Sequence, residues 1–123
     1  FDSNPDGDLD FKDNDKNFFK FVQNRFKDYP QVKLIKGFVP DSFQLGMPDS
    51  LAYMHIDMNN HKGELAVLDA LFDRVVSGGI IILDDYEWSG RYREQKQKED
   101  QWFDKKQYRI FPLPTGQGLI IKR

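Results

Sequence analysis

A chain of 123 residues with 18 basic and 20 acidic side chains, a net charge of −2 and no cysteine fits one domain at most, large enough to bury a core. That balance predicts no electrostatic affinity for nucleic acid or membrane surfaces. Without cysteine, disulfides and thiolate metal sites are excluded, which fits a cytoplasmic protein. No apolar run approaches the roughly 18 residues of a membrane span, and no signal-peptide pattern opens the chain.

Phe1-Asp2-Ser3 reads as the tail of a strand, as though the sequence entered its fold part-way. Residues 3–13 are acidic, with Pro5 and Gly7, and read as a loop. Their Asp6-x-Asp8-x-Asp10 spacing fails as a calcium loop: Phe11 stands where the sharp turn needs Gly, and Asn17 where a bidentate Glu is needed. Asp13 or Asn14 then caps a helix whose Phe18, Phe21, Val22 and Phe26 share one face and which stops before Pro30. Alternation at Val32, Leu34, Ile35 and Phe38 predicts a strand over 31–39, and Pro40-Asp41-Ser42-Phe43 opens a short turn.

Residues 51–58 read as a buried strand. An amphipathic helix is predicted over 63–77, with Leu65, Leu68, Phe72, Val75 and Val76 on one face and Gly78-Gly79 ending it. Ile80–Asp85 is the next strand, apolar on both faces as a covered parallel strand must be. A charged helix follows from Ser89 or Gly90 to about Lys106, with a weak apolar stripe of Tyr92, Trp102 and Phe103. Residues 108–112 and 118–122 close the chain as an antiparallel hairpin around Leu113-Pro114-Thr115-Gly116-Gln117. The order (β)-α-β-β-α-β-α-β-β predicts a layered α/β sheet with an antiparallel strand at its end.

Two of these strands end in carboxylates, Asp57 on one and Asp84-Asp85 on the other, with a helix-length segment between them. In an open α/β sheet, side chains at the carboxyl ends of parallel strands face the ligand crevice. Adjacent strands lie about 5 Å apart, so the carboxylates of Asp57, Asp84 and Asp85 can share a hard divalent cation. For Asp84-Asp85 alone, a turn and helix-cap role weighs as much. His55, two residues before Asp57, faces the same side of a regular strand, and His61 follows the strand; each reads first as a structural histidine. Asn59-Asn60 reads as turn and N-cap, Glu64 as favouring the positive end of its helix, and Gln95, Lys96 and Asp100 as a solvated face. Residues 115–118 form no phosphate loop and, as a hairpin turn, need no ligand.

The runs Leu34-Ile35-Lys36-Gly37-Phe38-Val39-Pro40-Asp41-Ser42-Phe43, His55-Ile56-Asp57-Met58-Asn59 and Gly78-Gly79-Ile80-Ile81-Ile82-Leu83-Asp84-Asp85-Tyr86 resemble the macrocin-type sugar O-methyltransferases. Gln95-Lys96, Asp100 and the run from Leu113 to Lys122 look like a bacterial subgroup of that family. The resemblance covers nearly the whole chain. It implies a Rossmann-like class I methyltransferase sheet with helices on both faces and a C-terminal antiparallel hairpin. It implies dependence on S-adenosylmethionine and Mg2+ (or Mn2+), with Asp57, Asp84 and Asp85 as metal ligands. Asp57 would double as base, with His61 the lesser candidate, and Asp2, in Phe1-Asp2-Ser3, would bind the cofactor ribose. Two departures stand out. The family's Asp-Gly-Asp is here Asp57-Met58-Asn59, and the Gly-rich first strand-turn-helix that cradles the cofactor is missing.

Residues 1–123 are therefore expected to be the C-terminal part of one methyltransferase-like α/β domain, truncated at its N-terminus. The expected acceptor is a hydroxyl of a sugar or glycosylated small molecule. A non-catalytic Rossmann-like domain for partner binding or self-association is the alternative. Loss of the first strands leaves apolar edges, so either residues 32–38 pair with 51–57 or a homodimer buries those edges.

Overall fold

The computed structural model describes residues 15–88 and 90–123. Asp2, the acidic loop and the Asp13 or Asn14 cap lie outside the described residues. The chain divides into two compact units, 1–46 and 47–123.

In the first unit, helix α1 (Asp15–Phe26) carries the expected apolar face, but Phe18, Phe21 and Phe26 on it stay exposed. The strand expected over 31–39 does not form, and the segment is irregular up to a short 3-10 helix at Asp41–Leu45. Alternation makes a strand only where a neighbour takes up the backbone N–H and C=O groups. The sheet of the other unit includes no residue of 31–38. The anticipated pairing of 32–38 with 51–57 is thus overturned.

The second unit is a four-stranded sheet in the order β1-β2-β4-β3. Strand β1 (Leu51–Ile56) runs parallel to β2 (Val75–Leu83), joined through helix α2 (His61–Leu71) and a 3-10 turn at Phe72–Arg74. Helix α3 (Arg93–Lys105) leads to the hairpin of β3 (Phe111–Pro112) and β4 (Gly118–Ile121), whose second strand lies antiparallel to β2.

The predicted boundary between α2 and β2 is wrong in an instructive way. Val75 and Val76, placed on the helix, belong to β2, and Gly78-Gly79 lie inside that strand rather than capping α2. Leu51 pairs with Val75 but Tyr53 with Ile80, so β2 bulges between them. Gly78 sits in the bulge at φ 80°, and a Cβ on Gly79 would lie 2.8 Å from the Val76 carbonyl oxygen.

Side chains alternate across the sheet. The row Met54, Ile81 and Ile120 is buried, as are Ile56 and Leu83, together with Val67, Leu68, Leu71 and Phe72 after β1 and Phe103 on α3. Phe72 anchors this core, with the rings of Trp102, Phe103 and Tyr108 at 5.1–5.9 Å. Trp102 Nε1 donates to Asp69 Oδ1 at 2.7 Å and ties α3 to α2. The opposite row, Tyr53, Ile80 and Ile121, remains substantially exposed.

Candidate metal centre

Ile56 pairs with Leu83, so the next residues, Asp57 and Asp84, leave the sheet side by side at the carboxyl ends of two parallel strands. The Asp84 N–H donates to the Ile56 carbonyl at 2.9 Å and carries the ladder one residue further. On a straight strand Asp84 and Asp85 would point to opposite faces. Strand β2 ends at Leu83 and residues 84–87 turn, which brings both carboxylates to one place. One oxygen each of Asp57, Asp84 and Asp85 lies within 4.8 Å of the others. Burial pushes the Asp85 carboxyl above its ordinary range, and the charges of Asp84, Asp57 and Glu64 push it further. A cation would relieve that repulsion, and an all-oxygen donor set suits Mg2+ or Mn2+ better than zinc.

Two partners of Asp84 were not foreseen. Its Oδ1 lies 3.0 Å from His55 Nε2 and accepts from Gln117 Nε2 at 2.7 Å. The strand parity of His55 with Asp57 was the available signal for the first. Gln117 gave no signal, because it arrives from the hairpin turn, 33 residues away. His61 opens α2 with its Nε2 3.9 Å from Glu94 Oε1 on α3. Asn60 caps α2, accepting from the Lys62 N–H at 3.0 Å. Asn59 takes the left-handed conformation at φ 52°, and its side chain accepts from the Tyr92 hydroxyl at 2.7 Å.

Of the three α3 residues expected on a solvated face, Gln95 is buried and Lys96 and Asp100 are half-buried. Gln95, Glu99 and Phe103 form its i, i+4, i+8 stripe and are all buried. Lys96 and Asp100 beside it hold the buried Tyr86: the phenol donates to Asp100 Oδ1 at 2.5 Å and Lys96 Nζ sits 3.6 Å over the ring. Burial and the Asp100 contact push the Tyr86 phenol up to about 12. Spacing alone missed this stripe because only one of its three residues is apolar.

Glu64 does more than favour a helix dipole. It is only 1% exposed, with Oε1 accepting the Met58 N–H and Oε2 accepting from Gln95 Nε2, each at 3.2 Å. Glu99 lies against it, fully buried, and among the described residues neither of its oxygens has a hydrogen-bond partner.

The model of the macrocin O-methyltransferases (TylF) matches residues 12–106, most of the chain. The chain belongs to this family. The TylF match takes in all three clustered aspartates and both buried glutamates, and stops short of the hairpin that supplies Gln117. The fold agrees: the solved structure of the O-methyltransferase NovP superposes with a TM-score of 0.66 at 19% identity, over 84% of this chain and 44% of that one. The chain thus spans less than half the length of NovP. No curated protein matches it in sequence.

Proposed function

We propose that this chain is the metal-holding part of an S-adenosylmethionine-dependent O-methyltransferase that acts on a hydroxyl of a sugar or glycosylated small molecule. The observation that carries this reading is the convergence of Asp57, Asp84 and Asp85 at two strand ends in a chain of the TylF family. These three would hold Mg2+ or Mn2+; when bound, the ion lowers the pKa of a hydroxyl it contacts and fixes its orientation. Asp57, the most exposed of the three, is placed to take the proton of the acceptor hydroxyl. His61, half-buried and near Glu94, is the second candidate for that step. His55 and Gln117 orient Asp84 from outside, as partners of metal-bound carboxylates do. Alignment of the hydroxyl is the chief contribution asked of the protein, worth several kcal/mol. The residue expected to bind the cofactor ribose, Asp2, lies outside the described residues, and no described residue is assigned to S-adenosylmethionine.

Titration with Mn2+ and methyl transfer from labelled S-adenosylmethionine to sugar hydroxyls test this reading. Binding that vanishes in Asp57→Asn and Asp85→Asn, with transfer that stops in EDTA, is the expected result. Transfer undiminished by EDTA would remove the metal from the mechanism.

A non-catalytic self-associating domain is the second reading. The exposed apolar row Tyr53, Ile80 and Ile121 and the edge of β1 with no strand beside it among the described residues favour it. A homodimer is compatible with either reading. Calorimetry with S-adenosylmethionine and S-adenosylhomocysteine, on this chain and on the gene-complete protein, separates them, since only an enzyme answers.

A further inference from the structure

Two carboxyl groups buried in contact, Glu64 on α2 and Glu99 on α3, are absent from the mechanism above. Their hydrogen bonds assign them different states. Both Glu64 oxygens accept N–H groups, from Met58 and from Gln95, which is what an ionised carboxylate does. Glu99 is fully buried and, among the described residues, neither of its oxygens accepts a hydrogen bond, the Gln95 amide being bonded to Glu64; a carboxylate left in that condition would cost several kcal/mol. A carboxylic acid at Glu99 would instead carry an O–H that can donate to the carboxylate beside it, Glu64. Burial pushes Glu99 up to about 10; contact with Glu64, its charge and that of Asp100 act in the same direction, and the Gln95 amide opposes them. Burial also raises Glu64, with the Asp57 charge adding to it, while its contacts with Glu99 and the Met58 and Asn59 backbone oppose the rise.

What Glu64 holds is the residue after Asp57. The Met58 N–H is fixed from within the protein, and the Met58 side chain lies over Gly63, where a Cβ would stand 2.8 Å from the methyl carbon. Asn59, in its left-handed conformation, is tethered from the other side by Tyr92 just before α3. The turn that carries Asp57 is thus held at two points, by Glu64 of α2, itself bonded to Gln95 of α3, and by Tyr92.

We propose that Glu64, Gln95 and Glu99 are positioning residues for the ion site, Glu99 being the acid whose proton completes the hydrogen bonding of Glu64 and so holds the Asp57-Met58-Asn59 turn in place. The proposal rests on Asp57 being an ion ligand, as argued above.

The test uses the 123-residue chain with Mn2+ as the probe. Glu64→Met keeps the volume and removes the acceptor of Met58; hydrogen exchange at the Met58 amide, read without metal, should accelerate at least about tenfold, and the Mn2+ dissociation constant should rise by a similar factor. Glu99→Gln keeps a donor toward Glu64, so both quantities should stay within about twofold of the parent. The infrared carbonyl band of a protonated carboxylic acid at pH 7 should be present in the parent and missing in Glu99→Gln. Unchanged Met58 exchange in Glu64→Met, or no acid band in the parent, would overturn the clamp. Those two readouts need no metal, so a parent that binds no Mn2+ would defeat the metal reading and leave the hydrogen-bonding result standing by itself. Should Glu64→Met not fold, the Glu99→Gln rescue and the infrared band still decide the matter.

Discussion

The chain builds two clusters of acidic side chains within a few residues of each other, and they settle their repulsion in opposite ways. Asp57, Asp84 and Asp85 stand at strand ends, exposed to half-buried, within 4.8 Å of one another. Water and a cation can reach them, so they can stay charged. Glu64 and Glu99 are 1% and 0% exposed, beyond the reach of any solvated ion, and there a proton is the available counter-charge. Depth alone decides whether a pair of carboxylates becomes a metal site or a hydrogen-bonded strut.

The largest effect expected from breaking this contrast is on ion binding. Asp57→Asn should weaken Mn2+ at least about a hundredfold, since a direct ligand matters more than the outer partners that cost ten- to a hundredfold. Equilibrium titration followed by the paramagnetic resonance of free Mn2+ measures it. Asp57→Asn that binds like the parent would end the comparison.

Next comes stability. Glu64→Ala strands the Met58 N–H and leaves the Glu99 acid with no acceptor, at a cost of about 3 kcal/mol. Asp84→Asn keeps an oxygen for His55 and Gln117 and relieves repulsion, so it should change stability by less than about 0.5 kcal/mol. Urea unfolding of the two variants compares the clusters directly.

The protonation of Glu99 also has a pH signature. A carboxyl raised in the folded state binds a proton that the unfolded chain has released, so its contribution is complete below about pH 4.5 and is lost as pH rises towards about 10. Groups facing the pair are Asp57 after β1, Asp85 after β2 and Asp100 on α3. Stability should fall between pH 5 and pH 8, by at most about 1.4 kcal/mol per pH unit, and Glu99→Gln should flatten that fall. An equal slope in parent and variant would place the proton elsewhere.

The smallest effect concerns the outer partners of Asp84. His55→Ala removes one of its two donors while Gln117 remains, so Mn2+ affinity should fall about tenfold or less, with stability within about 0.5 kcal/mol. A loss as large as that of Asp57→Asn would make His55 part of the ion site itself.

Much of this was legible in the residues. The β1 and β2 strands, the helix between them, the charged helix and the hairpin were all expected. The failures share a cause. Residues 31–39 alternate like a strand but find no partner in the sheet. Gly78-Gly79 look like a helix stop and serve a bulge between β1 and β2. Gln95 looks solvated and packs inward, because a helix face is chosen by what lies against it.

The sequence by itself determined local matters: the helix-length segment between two apolar strands, the aspartates that follow those strands, and the Asn60 cap of α2. Those depend on periodicity, turn chemistry and side-chain type, all carried within a few residues. Only the tertiary structure decided that His55 and Gln117 meet on Asp84, that Glu64 grips Met58, and that Glu99 is buried against Glu64. Each of these depends on burial and on partners from distant parts of the chain, and a side chain's protonation follows from its surroundings rather than its name.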